Sequence, residues 1–315
     1  MSHLPTLDPQ ETEVFDIHFS PEPLKRSYEI GLVITTFNRP AYLHRTLSAL
    51  GKSRLDDTLV LLVDDCSDDP HTTQLIDAFS LAGTAVIKAE RKSRGECAIH
   101  ENLKFGWDLL LKHFQCRYLT NLDSDAVVQA DWLVQLKQLS EQAESKDALI
   151  TGFNAYQHNT LKEQDTHYEK ESIGGINFFF SRSMYQDTIR PALVDLQWDH
   201  HVVETLQKTD RKILCTKPSV VQHIGRNGIW SGPASGIFDF AIDFGDTNVI
   251  NTFTRMLYFR GCRKTLFLLS PVFSGISKLL KKINFLPRKL TDAIAATGSR
   301  IKGLWFRARY ARLYS

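Results

Sequence analysis

The chain has 315 residues, 43% hydrophobic and 23% charged, the balance of a soluble globular protein long enough for one large domain or two small ones. Its five cysteines are scattered and odd in number, with no CxxC spacing, which argues against a disulfide framework or a zinc site and for a reducing compartment. The formal net charge of +2 hides an asymmetry. Residues 255–315 carry 14 Lys or Arg and one acid, Asp292, whereas the preceding residues carry 24 basic and 35 acidic side chains, so the two segments suit different partners.

Residues 1–27 read as an extended arm with weak structure signals. They are polar and acidic, hold Pro5, Pro9, Pro21 and Pro23, and show no signal peptide. Residues 30–36 form a buried-strand pattern. Phe37-Asn38-Arg39-Pro40 then turns into a helix with Pro40 near its first turn, and Tyr42, Leu43, Leu47 and Leu50 supply its apolar face. A second strand is predicted over 58–63, ending in Asp64-Asp65-Cys66-Ser67-Asp68-Asp69-Pro70, with a helix after it over about 71–81. A short third strand over 84–88 leads to the basic loop Arg91-Lys92-Ser93-Arg94-Gly95, and a helix over about 96–113 follows. The stretch 118–128 then reads as a short apolar strand that ends in the paired carboxylates of Asp123-Ser124-Asp125.

Four strand-helix alternations in succession predict an open, mostly parallel α/β sheet flanked by helices. Ligands of such sheets sit beyond the carboxyl ends of the strands, where this chain puts its polar clusters. No GxGxxG follows the first strand and no P-loop motif occurs, so the usual phosphate cradles are missing. Side chains at i and i+2 of a strand share a face, so Asp123 and Asp125 are expected to address one pocket. Two close carboxylates repel unless a cation or hydrogen bonds hold them, and Mn²⁺ or Mg²⁺ suits that role. The plainer alternative is an Asp-Ser-Asp surface turn.

Taken together, VITTFNRPAYLHRTLSAL, LLVDDCSDD and LTNLDSDAVV resemble the nucleotide-sugar half of GT-A (nucleotide-diphospho-sugar transferase) glycosyltransferases. The likeness is to the large inverting group, family 2-like, that includes cellulose, chitin and bacterial surface-polysaccharide synthases. Downstream, GGINFFFSRSMY and WDHHVVETLQKTDRKILCTKPSVVQHIG continue it, so the resemblance covers roughly residues 28–228. It implies a catalytic domain over 28–254, with a nucleotide-sugar half at 28–128 and an acceptor half at 129–254.

The resemblance also implies roles. Asp64 would accept the N3 proton of uracil, although Asp64 and Asp65 equally suit capping of the next turn. Thr35, Asn38, Arg39 and Ser124 would join it as nucleotide-sugar contacts. Arg94 would stack on the base or meet the diphosphate, or simply be solvated. Asp123 would hold the ribose or the metal, and Asp125 the metal, with His223 completing its shell unless it is a hydrogen-bonded core histidine. The general base would be Asp199, with Glu204 as the alternative; Asp199 could also cap its helix. The family usually has Glu-Asp where this chain has Trp198-Asp199. Gly174 and Gly175 would let backbone approach a sugar, or make a strand bulge. Trp198 and Trp230 would touch donor sugar or acceptor, Trp230 from a Gly-rich loop able to fold over the donor.

The expected protein is therefore a metal-dependent inverting glycosyltransferase, a hexosyl- or hexosaminyltransferase using a nucleotide sugar, UDP-linked, and a saccharide or lipid-linked acceptor. The alternatives are a sugar-nucleotide pyrophosphorylase, which would need a glycine-rich loop absent after the first strand, and a non-catalytic binding module of the same fold. Retention of configuration is a smaller alternative, since fold does not set stereochemistry. Residues 255–315 mix apolar anchors with cations, as in Leu279-Leu280-Lys281-Lys282 and Leu304-Trp305-Phe306-Arg307, and predict a basic helical extension lying on an anionic membrane surface. Packing on the domain is the alternative, and nucleic acid is not expected as a partner. The longest apolar run, residues 266–276, is too short and too interrupted to span a bilayer. The expected location is cytoplasmic, at the inner face of the cytoplasmic membrane.

Overall fold

The computed structural model describes residues 5–93, 99–142, 147–155, 157–225, 239–241 and 243–244. The chain divides into two compact units, Met1–Ile224 with Asp243–Gly245, and Gly225–Ile242 with Asp246–Ser315. Every helix and strand among the described residues belongs to the first unit. The basic segment 255–315 and its expected interfacial helices lie outside the described residues.

Helix α1 (Pro9–Val14) and strand β1 (Phe15–Phe19) come first. An alternating series follows: β2 (Ser27–Thr36), α2 (Pro40–Leu50), β3 (Thr58–Asp64), α3 (Pro70–Ala78), β4 (Val86–Arg91), α4 (Ile99–His113) and β5 (Gln115–Asp123). The second half runs β6 (Ala126–Val128), α5 (Trp132–Gln142), β7 (Leu149–Thr151), β8 (Thr160–Glu163), β9 (His167–Lys170) and β10 (Phe179–Ser181). A helical stretch of α6 (Arg182–Met184), a π-helical turn (Tyr185–Ile189) and α7 (Arg190–Ala192) leads to α8 (Trp198–Leu206), β11 (Ile213–Thr216) and β12 (Val221–His223).

Ten strands form one sheet in the order β1-β4-β3-β2-β5-β10-β7-β11-β9-β8. Strands β4, β3, β2 and β5 are parallel, and β3 is buried at all seven positions because helices cover both faces of such a sheet. The parallel part of the sheet starts at β2, adds β3 and β4 on one side, then crosses to lay β5 on the other. That reversal opens a crevice between the carboxyl ends of β2 and β5. The register fixes what lines it: Thr35 pairs with Asp123, and Thr36 with Asp64.

Helix α4 packs close to the sheet at Gly106, where a Cβ would come within 2.8 Å of Val33 Cγ1. Beside it the fully buried Trp107 meets Phe180, Tyr185 and Trp198 edge-on, with centroids 5.1, 5.7 and 6.3 Å away. Such offset contacts suit the ring quadrupoles and tie the second half of the chain to the first.

Three local expectations change. The stretch read as an extended arm contains a helix closed by a capping box, Asp8 with Glu11, and a strand that edges the sheet against β4. The third strand runs on to Arg91, which therefore stands at a strand end instead of in a loop. The strand expected to end in both aspartates ends at Asp123; Ser124 and Asp125 form a turn, and β6 then pairs with β12 in a separate antiparallel ribbon. Among the described residues no helix is long and apolar enough to cross a membrane.

Candidate active site

Asp123 ends β5 at the crevice and Asp125 follows in the turn. Asp125 is buried, and its Oδ2 accepts a hydrogen bond from Arg39 Nη1 at 2.7 Å. The same oxygen lies 3.3 Å from His223 Nε2. The ribbon delivers that histidine: His223 pairs with Ala126, and Ile224 N donates to Asp125 O at 2.8 Å. Asp123 differs from its neighbour, since its Oδ1 is buried with no hydrogen-bond partner.

The electrostatics separate the pair. Burial first, then the Asp125 charge, push the Asp123 pKa well above its ordinary value; Asp199 adds to the push, and His223 and Arg39 oppose it. Burial also acts to raise Asp125, but His223 and Arg39 overrule it and hold its pKa at about 2. The protein therefore supplies counter-charge for Asp125 and leaves Asp123 wanting a cation. Among the described residues no group of three His, Cys, Asp or Glu side chains is gathered closely enough to hold a metal by itself. The donor set still fits a hard divalent ion, which takes one or two carboxylates and completes its shell with substrate phosphate oxygens. The orphaned Asp123 oxygen is the observation that favours one.

The third carboxylate comes from α8. Asp199 lies in the first turn, while Gln197 occupies the cap position, so Asp199 is not the cap. Its Oδ2 accepts from Gly175 N at 3.1 Å and its Oδ1 from His200 N at 3.0 Å. Gly175 O in turn accepts from Asn121 Nδ2 at 2.7 Å. Asn121 is a polar side chain inside the apolar strand β5, so one residue two places before Asp123 sets the loop that orients Asp199. That interruption of the apolar run is the sign in the sequence that points to Asn121. Glu204, the alternative base, is exposed one turn further along.

Trp198 corrects its expectation. It is only 3% exposed and packs on Phe178, with centroids 5.0 Å apart, so its ring is core and not a sugar contact. It also explains Gly175, where a Cβ would come within 2.6 Å of Trp198 Cζ2. Gly175 is needed there for the ring's approach.

At the neighbouring strand end Asp64 is buried and works as a turn cap. Ser67 Oγ and N donate to its Oδ1 and Oδ2 at 2.6 and 2.7 Å. Burial raises the Asp64 pKa against those bonds. A carboxylate has lone pairs to spare, so this leaves acceptor capacity for a ligand. Asp65 is buried beside it, with Oδ1 3.5 Å from Arg91 Nε and without a hydrogen bond. Asn38 is committed to its surroundings: Nδ2 donates to Asp68 at 2.8 Å, and Oδ1 accepts from the Asp68 and Asp69 amides at 3.2 and 3.0 Å. Thr35 is buried at the crevice, and Ser124 O accepts from Thr46 Oγ1 at 2.8 Å. Arg94 and Trp230 lie outside the described residues.

Strand order and switch-point carboxylates together place the molecule among the GT-A folds, the architecture of nucleotide-diphospho-sugar transferases. Within that class the chain belongs to glycosyl transferase family 2, whose sequence profile matches residues 32–200. Among solved structures, GalNAc-T7 with UDP, GalNAc and Mn²⁺ is similar with a TM-score of 0.50 at 16% identity, over 62% of this chain and 43% of that one. S. aureus TarS 1–349 in complex with UDP gives 0.44 at 15% identity, over 59% of this chain and 57% of that one. The chain thus spans about half the length of these structures. No curated protein sequence matches it.

Proposed function

We propose that the chain is a glycosyltransferase that moves a hexose or hexosamine from a UDP-sugar to a saccharide or lipid-linked acceptor, with inversion at the anomeric carbon. The observation that carries the reading is the convergence of three carboxylates from separate elements: Asp199 on α8 accepts from Gly175 N at 3.1 Å, and the next residue, Ile176, accepts from Asp123 N at 3.1 Å. The strand-end position of the pair supports a diphosphate site, and family membership supports sugar transfer.

Asp199 acts as general base. Held by the Gly175 amide, it takes the proton from the acceptor hydroxyl as that oxygen attacks the anomeric carbon and the bond to the diphosphate oxygen breaks. Asp123 and Asp125, with His223, would hold Mn²⁺ or Mg²⁺. When bound, the ion offsets the charge that develops on the departing nucleoside diphosphate. Asp64 at the end of β3 and Asp65 just after it would face the nucleoside, and Thr35 lines the crevice between them and Asp123. The domain division at about residues 28, 128 and 254, and attachment to a membrane surface through 255–315, belong to the same proposal and rest on the sequence.

The test is calorimetric binding of UDP, with GDP and CMP as controls, in Mn²⁺ or in EDTA, to the wild type and to Asp125→Ala. Metal-dependent UDP binding that disappears in the variant supports the donor site, provided thermal unfolding shows the variant folded. No nucleotide binding under any condition overturns the reading.

A further inference from the structure

We infer that Arg39 is a resident counter-ion that a divalent metal must displace from Asp125, and that the diphosphate of the donor is what draws it away. The inference rests on the donor site proposed above. Arg39 Nη1 and His223 Nε2 both address Asp125 Oδ2, at 2.7 and 3.3 Å, so that oxygen is occupied on two sides. A metal cannot bind it at contact while the guanidinium stays.

The rest of the guanidinium is prepared for another partner. Its Nε and Nη2 are buried and without hydrogen bonds. Buried N–H donors are nearly always satisfied, so two on one side chain mark a group awaiting an acceptor. The plane lies over the Tyr42 ring with Cζ 4.5 Å from the centroid, which keeps the fork flat and oriented. Its root is held as well. Arg39 has a positive φ of 60°, a conformation costing about 1–2 kcal/mol for such a residue, and Asn38 before it, with φ 50°, is of a type that tolerates it. The Asn38 side chain, braced on Asp68 and Asp69, holds that strained turn.

A planar fork with spare donors beside a strand-end crevice matches a phosphate, which it binds two bonds at a time. A metal arriving alone must break the Arg39–Asp125 pair without replacement. When the diphosphate is present, its oxygens receive Arg39 and Asp125 is released to the metal. Metal and nucleotide are then linked through one side chain, and each raises the affinity for the other.

The experiment titrates Mn²⁺ into the full chain, reading free Mn²⁺ by electron paramagnetic resonance, first alone and then with UDP. Wild type, Arg39→Gln and Arg39→Lys are compared, with thermal unfolding as the check on folding. Wild type is expected to bind Mn²⁺ about tenfold or more tightly with UDP than without it. Arg39→Gln is expected to bind Mn²⁺ alone about tenfold more tightly than wild type, at a magnitude typical of such couplings. Arg39→Lys keeps the charge but not the fork, so Mn²⁺ alone stays as weak as in wild type while UDP affinity falls about tenfold. Mn²⁺ alone binding Arg39→Gln no more tightly than wild type overturns the inference. So does Arg39→Lys binding UDP undiminished, which decides the matter if the Gln variant does not fold. Wild type that binds neither UDP nor Mn²⁺ overturns the donor site itself.

Discussion

Gly175→Ala tests whether the core and the candidate base are mechanically joined. An added Cβ would stand 2.6 Å from Trp198 Cζ2 and 3.2 and 3.3 Å from two further ring atoms. Carbon atoms prefer about 3.5–4.0 Å, so one partner must move by close to 1 Å. The ring has little room, because it is 3% exposed and bounded by Phe178 and Trp107. Overpacking of this kind costs about 1–3 kcal/mol. Gly175 does not have a positive φ, so the alanine brings no backbone strain, and its smaller unfolded-state entropy offsets roughly 0.4–1 kcal/mol. Urea unfolding should therefore show a lower midpoint at unchanged slope, a net loss of about 1–2 kcal/mol. Trp198→Phe trims the ring atoms that clash, so the double variant should lose at least about 1 kcal/mol less than the two single losses combined. The Gly175 amide would shift with the loop and take Asp199 with it, so turnover should fall further than stability explains. A variant within about 0.5 kcal/mol of wild type, or singles that simply add, would refute the reasoning.

Asp199→Asn keeps one oxygen to accept from Gly175 N but loses the acceptor for His200 N, so unfolding should change by no more than about 1 kcal/mol and UDP affinity should hold, while transfer falls about 10²–10⁴-fold. Activity retained above a tenth of wild type would remove Asp199 as the base and return attention to Glu204. His158 offers a pH test away from the site. Burial first, then the Lys170 and His200 charges, lower its pKa from 6.5 to about 4, so the native state holds it neutral. The stabilisation is present above about pH 6.5 and is lost as pH falls from there toward 4, by up to about 3 kcal/mol. Urea unfolding from pH 8 to 4 should show that slope in wild type and a flatter one in His158→Gln; parallel slopes would mean His158 protonates in place.

The first half of the sheet was readable because its strands are apolar runs punctuated by turn residues, and each run ends where charges begin. Thr35, Asp64 and Asp123 fall at adjacent strand ends as expected for that reason. The rest depended on partners that local pattern does not reveal. Asp8 and Glu11 spell a capping box, but the helix is six residues long and its Glu11 is met by Lys112 and His113 of α4, about a hundred residues away. Trp198 beside a catalytic candidate looked like a sugar platform, yet an aromatic next to a site is core whenever another aromatic and a glycine are brought against it. Asp199 also suits a helix cap by residue type, and only the observed helix start, with Gln197 at the cap position, and the Gly175 amide on its carboxylate separate the two uses. Asn38 appeared as a contact for ligand because nothing local reports that its amide is spent on a loop thirty residues away.

The β6–β12 ribbon has a consequence for synthesis. His223 reaches Asp125 from almost a hundred residues further along the chain. At roughly 5–20 residues per second, the ribosome produces it on the order of 5–20 s after the aspartate. During that interval β2 to β5 can already pair, bringing Asp123 and Asp125 together with Arg39, the one basic partner of Asp125 among the described residues that has already been made. The arginine thus serves the nascent chain as a chaperone of charge, holding the carboxylates at rest until the last strand of the ribbon arrives to close the pocket.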